Sequence, residues 1–192
     1  MYKALLLLVL ALAHCLSGKA GDGVADVAQY APLAATLALK AAGVESQEEW
    51  GRLVVSGGLS AVLMAGTVEA LKRTVRRERP DADDYRSFPS GHTAVAFMGA
   101  AMLHKEMGHH SVWISVGGYT AATAIAVSRV AGSRHWVSDV LVGAGIGIAA
   151  TEAGYWIAGQ ILGDRGLCAA PALLDVPSRG GVAIGATLNV TF

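Results

Sequence analysis

Three short blocks of the sequence contain residue types that bind and transfer phosphate. Proteins bind a phosphate group with the guanidinium forks of Arg, the charge of Lys, hydroxyl groups and backbone N–H groups at the start of a helix. The blocks therefore predict a phosphate-binding site. They consist of Lys72, then Arg79 and Pro80 after six residues; Pro89, Ser90, Gly91 and His92; and Ser128, Arg129, then His135 and Asp139. The expected phosphate ligands are Lys72, Arg79, Ser90, Gly91 and Arg129.

Two histidines and one aspartate supply the groups needed for covalent catalysis. His135 and Asp139 are four residues apart, so they share a face if they lie on one helix. Asp139 is then expected to accept one ring N–H of His135, which leaves the other ring nitrogen as a nucleophile. His92, when protonated, can give its proton to the departing alcohol as a general acid. This set predicts a phosphatase that works through a phosphohistidine on His135.

Neither a metal ion nor an organic cofactor is expected, and the same holds for a nucleic-acid partner. Cys15 and Cys168 are too far apart for a disulfide framework or a metal-ligand motif. The formal net charge is zero, so no overall field attracts nucleic acid. Other polar side chains are expected on solvated or membrane-facing surfaces. They are Arg73, Arg76, Arg77, His104, His109 and His110.

The elements that must position these blocks are apolar helices. Hydrophobic residues make up 53% of the chain, which also contains 24 glycines, as in membrane proteins and very apolar helical bundles. Five apolar stretches without strand-like alternation predict helices. They are residues 28–42, 51–71, 93–103, 112–130 and 140–162. The second and the last are long enough to cross a bilayer, which takes about 20 apolar residues.

The two ends of the chain differ from this helical part. Lys3, an apolar run over 4–13 and small residues near Ala20 predict a signal peptide or a first membrane helix over 1–20. From 164 onwards the sequence is linker-like, and residues 182–192 alternate apolar and small or polar side chains, which predicts a strand. An ordinary packed tail is the alternative. The expected division is therefore 1–20, a helical phosphatase domain over 21–163, and a tail over 164–192.

Taken together, the three blocks resemble the signature of the type 2 phosphatidic acid phosphatase and vanadium haloperoxidase superfamily. All eleven specified residues match in order and spacing, and the resemblance extends over roughly 28–162. Outside the blocks the chain is similar to short exported bacterial members. The resemblance implies an all-α, multi-helix bundle in which the blocks meet at one end. It also implies the roles given above for His135, His92 and Asp139, with the other block residues binding phosphate.

The expected activity is hydrolysis of a lipid phosphate at the membrane, with phosphatidate, undecaprenyl pyrophosphate and lipid A phosphate as candidate substrates. Three alternatives are also compatible with the sequence: a soluble periplasmic acid phosphatase of broad specificity, a vanadium-dependent haloperoxidase and a non-enzymatic membrane protein. The sequence selects neither the substrate nor an oligomeric state.

The orientation in the cell envelope rests on two opposing signals. The basic loop after Leu71 favours the cytoplasm by the positive-inside rule, whereas the N-terminus favours export. Because Lys72 and Arg79 are expected to bind phosphate, their charge does not report topology. An active site on the periplasmic side is therefore expected, with the loops at 44–50 and 105–111 on the opposite face.

Overall fold

The computed structural model describes residues 19–163, 168–176 and 181–189, so residues 1–18 of the signal peptide or first membrane helix expected over 1–20 lie outside them. The helical domain is all-α, as predicted. Over the described ranges the helices are α1 (Lys19–Ala28), α2 (Ala31–Ala41), α3 (Trp50–Val75), α4 (Gly91–Met107), α5 (Val112–Ala131) and α6 (Val137–Leu162). Two strands follow, β1 (Cys168–Val176) and β2 (Gly181–Asn189). The five predicted helices correspond to α2–α6, whereas α1 was not predicted.

Helix α4 forms the centre of the bundle. It packs against α2, α3, α5 and α6, and most of its residues are buried. Its small side chains allow this because alanine and glycine let neighbouring helices approach closely. Gly143 on α6 lies so near the start of α4 that an added Cβ would come within 2.5 Å of the Ser90 carbonyl oxygen. The absence of a side chain at Gly143 therefore allows the first turns of α4 and α6 to pack in direct contact.

Helices α3 and α6 are 26 residues each and pack against one another. Among the described helices these two are long and apolar enough to cross a membrane by length and composition. Large apolar side chains lie exposed on their outer faces, including Val62 at 70% and Trp156 at 67% exposure. A face of this kind fits a lipid environment better than water.

One end of the bundle is closed around a buried acid. Glu106 is fully buried and accepts hydrogen bonds from the Tyr155 hydroxyl at 2.7 Å and the Glu48 backbone N–H at 3.2 Å. Nearby, the His110 ring lies 2.6 Å from the Glu45 carbonyl oxygen. The loops before α3 and after α4 therefore meet at this end, which is where α3 begins.

The two strands form an antiparallel pair, with Cys168 opposite Asn189 and Val176 opposite Gly181. The predicted strand is thus present as β2, although 190–192 lie outside the described residues. The interpretation of the segment before it as a linker was wrong for 168–176. That segment lacks alternation, but an isolated strand needs a partner for its backbone hydrogen bonds, and the preceding segment supplies it.

Candidate active site

The end of α3, the start of α4, the end of α5 and the start of α6 bring the three sequence blocks together at the end of the bundle opposite Glu106. The Ser90 backbone N–H donates to the Asp139 carbonyl oxygen at 3.0 Å, which joins the second block to the third. The Lys72 ammonium donates to the Arg86 carbonyl oxygen at 2.7 Å, which ties the end of α3 to the loop before α4. The blocks therefore form one site, although they are spread over more than sixty residues.

His135 lies in a tight turn immediately before α6. The backbone N–H groups of Arg134 and His135 both donate to the Arg129 carbonyl oxygen, at 3.0 and 3.2 Å. This turn places the imidazole inside the site with 3% of its residue surface exposed. Its Nδ1 lies 2.8 Å from the Ser87 carbonyl oxygen, which can only accept a hydrogen bond. Nδ1 therefore carries the proton, and Nε2 keeps its lone pair.

Asp139 does not make the predicted hydrogen bond to His135. Its Oδ2 is 3.7 Å from Nδ1 of His135, beyond hydrogen-bonding distance. The two residues do not share a helix face, since His135 precedes the N-cap Trp136 while Asp139 lies in the first turn. Oδ2 instead accepts from the Trp136 backbone N–H at 3.0 Å and from the Ser87 hydroxyl. The carboxylate thus acts on His135 through Ser87.

Arg77 is a site residue that the sequence did not reveal. Its guanidinium donates to Asp139 Oδ1 at 2.9 Å and to the Ser138 hydroxyl at 2.6 Å. It also lies over the Trp136 ring, 5.3 Å from the centroid. The expectation of a solvated or membrane-facing arginine was wrong because Asp139 is fully buried and needs a counter-charge. Its position inside the first block, between Lys72 and Arg79, was the one available signal.

The second block starts α4. Ser90 is the N-cap, and its hydroxyl oxygen accepts from the Thr93 hydroxyl at 3.0 Å and the Thr93 backbone N–H at 3.5 Å. Its own hydroxyl hydrogen can still donate to an anion, as can the first backbone N–H groups of the helix. His92 lies in the first turn, where its Nε2 is 2.6 Å from Asp26 Oδ1 on α1. Asp26 was not among the predicted site residues.

Two of the three predicted phosphate-binding cations, Lys72 and Arg79, lie close enough to His135 to act on its charge, and the backbone of the third, Arg129, accepts the His135 N–H. Arg79 bridges to Asp84 at 2.8 Å, Lys72 is tied to the Arg86 carbonyl, and Arg129 is 5% exposed. Burial, and then the charges of Lys72 and Arg79, lower the pKa of His135 from 6.5 to about 4. The imidazole is therefore neutral at pH 7, the state that a nucleophile requires.

The chemistry available at this site does not require a bound metal ion. Among the described residues, no three His, Cys, Asp or Glu side chains come together as metal ligands. The positive charge comes from side chains and from the start of α4. The arrangement can hold an anion with several oxygens beside a neutral imidazole nitrogen.

Comparison with known proteins identifies one family. The family model of the PAP2 superfamily matches residues 52–161. Lipid A 1-phosphatase from Porphyromonas gingivalis is 45% identical over 140 residues, which cover 72% of this chain and 32% of that protein. The chain thus spans about a third of the length of this curated relative. The crystal structure of Aquifex aeolicus LpxE is similar with a TM-score of 0.54 at 24% identity, covering 78% of this chain and 93% of that one.

Proposed function

Because this chain belongs to the PAP2 superfamily, we propose that it is a phosphatase that hydrolyses a lipid phosphate monoester through a phosphohistidine on His135. The observation that carries the proposal is the state of that imidazole. It is buried and neutral, its Nδ1–H donates to the Ser87 carbonyl, and its backbone is held by the turn that starts at Arg129. These features are those of an activated nitrogen nucleophile.

In the first step, Nε2 of His135 attacks phosphorus. An N–P bond forms as the P–O bond to the alcohol breaks, and protonated His92 transfers a proton to the departing oxygen. Lys72, Arg79 and Arg129, together with Ser90 and the backbone at Gly91, stabilise the charge on the other phosphate oxygens. Asp139 positions the nucleophile through Ser87.

In the second step, water hydrolyses the phosphohistidine. His92, now neutral, takes a proton from the water as its oxygen bonds to phosphorus and the N–P bond breaks. This restores protonated His92 and neutral His135 and releases phosphate.

A lipid substrate is supported by an apolar groove beside the site. The groove has a volume of about 510 Å³ and lies between α4, α5 and α6. Val130 and Val140 line it and directly follow Arg129 and Asp139 in the chain. Leu141, also in its wall, is 67% exposed. An acyl chain in this groove would cover the exposed leucine, whereas a soluble phosphate ester would leave it in water. The name of the Porphyromonas gingivalis relative also favours a lipid phosphate, and lipid A phosphate among the candidates.

Membrane placement follows from the same features. Two apolar helices of membrane-spanning length, with apolar outer faces, support an inner-membrane protein. We place the active site on the periplasmic side, because Lys72 and Arg79 are assigned to phosphate and Arg77 to Asp139, so these charges do not report topology.

The test is phosphate release by the purified protein from phosphatidate, lipid A, undecaprenyl pyrophosphate and 4-nitrophenyl phosphate. The wild-type protein is expected to release phosphate from the lipid phosphates. His135→Ala is expected to release none. It should survive EDTA and be inhibited by vanadate, which mimics the trigonal-bipyramidal transition state. Activity in His135→Ala, or loss with EDTA that a divalent ion restores, would refute the mechanism. Halide oxidation with vanadate and hydrogen peroxide, without phosphate release, would instead identify a haloperoxidase.

Two substitutions on α6, one of a leucine and one of an isoleucine, test whether the enzyme prefers lipid substrates over soluble ones. Leu141→Ser should raise KM for acyl-bearing substrates and leave 4-nitrophenyl phosphate unchanged. Ile161→Ser is the matched control, since it is 68% exposed but lies at the other end of the helix. Equal effects of Leu141→Ser on both substrate classes would favour the broad-specificity acid phosphatase.

A further inference from the structure

A carboxylate from the first described helix contacts the second histidine of the site. Asp26 Oδ1 on α1 lies 2.6 Å from Nε2 of His92 on α4, 66 residues along the chain. Asp26 is largely exposed at 63%, and the His92 side chain is 26% exposed. Neither sequence spacing nor any of the three blocks involves this aspartate.

Asp26 is held in position by the packing of its own helix. Ala25, beside it, is fully buried, and Gln29 is 8% exposed. The Gln29 side-chain amide donates to the Asp26 carbonyl oxygen at 2.7 Å. Helix α1 also contacts α5, whose last turn carries Arg129. The carboxylate therefore approaches His92 from an anchored helix.

We propose that Asp26 is the positioning residue of the general acid: it holds the Nε2–H of His92, so that Nδ1 is the nitrogen that exchanges protons with the substrate. This inference rests on the proposed function, because it assigns a role relative to His92 as the acid. A carboxylate oxygen can only accept a hydrogen bond, so this contact keeps a proton on Nε2 and fixes the orientation of the ring.

The proton inventory of the reaction fits this arrangement. Imidazolium carries two N–H groups, and the one on Nε2 stays with Asp26 throughout. The Nδ1 proton passes to the alcohol oxygen as the P–O bond breaks and the His135 N–P bond forms. The resulting neutral tautomer has its lone pair on Nδ1, which takes a proton from the water that attacks phosphorus. No further reactant is needed.

The alternative is an ion pair that merely fastens α1 to the bundle. An exposed pair of this kind contributes little to stability, so either role leaves Asp26→Asn folded. The two roles differ in their dependence on the leaving group. An aryl phosphate with a good leaving group needs little protonation in the transition state, whereas an alkyl or lipid phosphate needs much more.

The experiment compares kcat of the full-length protein on 4-nitrophenyl phosphate and on phosphatidate. Asp26→Asn should lose roughly ten-fold or more in kcat on phosphatidate, change little on the aryl ester and keep its KM values, because only acid assistance is weakened. Asp26→Glu should recover part of the loss. Glu152→Gln is the control: this exposed carboxylate lies on α6 and pairs with Lys105 at 2.8 Å. It should match wild type on both substrates.

The outcomes distinguish the two levels of inference. If wild type releases no phosphate from either substrate, the proposed function fails. If wild type is active and His92→Ala loses the alkyl reaction selectively, but Asp26→Asn equals wild type, the role of Asp26 is refuted. Equal losses of kcat by Asp26→Asn on both substrates would also refute it. That result fits an ion pair that only fastens α1 to the bundle, since such a pair does not act on the leaving group.

Discussion

The buried carboxylate of Asp139 reaches His135 through Ser87. The Ser87 hydroxyl donates a hydrogen bond to Asp139 Oδ2. The Ser87 carbonyl oxygen accepts a hydrogen bond from Nδ1–H of His135, with 2.8 Å between nitrogen and oxygen. The direct separation between carboxylate and imidazole is 3.7 Å. The Ser87 carbonyl therefore fixes the tautomer of the His135 ring, while Asp139 fixes the position of Ser87 by accepting its hydroxyl hydrogen bond. This arrangement differs from a side-chain triad, because the orienting acceptor is a main-chain carbonyl that mutation cannot remove.

Arg77 is expected to stabilise the protein by compensating the charge of Asp139. Arg77→Ala removes the 2.9 Å ion pair, although Asp139 keeps its Ser87 and Trp136 donors. A loss of about 1–3 kcal/mol in the free energy of unfolding is expected, together with lower kcat, because Ser87 is less firmly held. Chemical unfolding and phosphate release measure the two effects.

The control for this change is Arg73→Ala. Arg73 pairs with Glu69 at 2.7 Å, but its side chain is 75% exposed. Its loss should change stability by less than about 0.5 kcal/mol. If Arg77→Ala were as mild as Arg73→Ala in both stability and kcat, Arg77 would be the surface arginine that the sequence predicted.

The meeting of the three blocks at one end of the bundle was predictable because their chemistry and spacing form a recognisable set. Arg77, Ser87 and Asp26 were not, because their roles depend on contacts formed only in the folded chain. Arg77 approaches Asp139 across 62 residues, and Asp26 approaches His92 across 66. Apart from the position of Arg77 inside the first block, the local sequence contains no signal for these contacts.

The helices were predictable for a related reason, since continuous apolar runs specify them locally. Two features that depend on neighbours were missed. Helix α1 has a short sequence with exposed apolar residues such as Val27, and β1 lacks alternation. The prediction of a direct hydrogen bond between Asp139 and His135 was also wrong, because the spacing of two residues alone does not show where a helix begins.

The pH dependence of stability should report the burial of His135. Its pKa is about 4 in the folded protein, against 6.5 for an unperturbed imidazole, so the unfolded chain binds more protons between these values. Stability attributable to this residue is therefore present above about pH 6.5 and is lost as the pH falls towards 4. The full difference is about 3 kcal/mol.

His135→Gln, which cannot be protonated, isolates this effect. The difference in unfolding free energy between wild type and this variant should shrink or reverse as the pH is lowered from about 7 to about 4.5, the range in which the unfolded chain takes up the proton. Parallel pH profiles for the two proteins would mean that the imidazole titrates normally and is not a buried neutral nucleophile.

A glycine at position 143 should be required for the close approach of α6 to the start of α4. In Gly143→Ala the new methyl group would press against the Ser90 carbonyl, so the helices must separate. We expect a loss of about 1–3 kcal/mol and reduced activity, because Ser90 and Asp139 are displaced relative to each other. Gly145→Ala, two residues away, meets nothing within 4 Å and should be neutral or slightly stabilising. Thermal unfolding of both variants compares them, and equal behaviour would contradict the packing argument.

Topology reporters should place the two ends of the bundle on opposite sides of the membrane. Helix α3 is 26 residues long, or about 39 Å, and separates the Glu106 end from the His135 end. That length exceeds the hydrocarbon core of about 30 Å. A phosphatase reporter fused after Arg86, at the active-site end, should be active in the periplasm. One fused after His109, near the contact between His110 and Glu45, should be silent. Activity at both positions would mean that the bundle is wholly exported and attached peripherally. A silent fusion after Arg86 would place the active site in the cytoplasm, and the basic residues of that loop would then report topology after all.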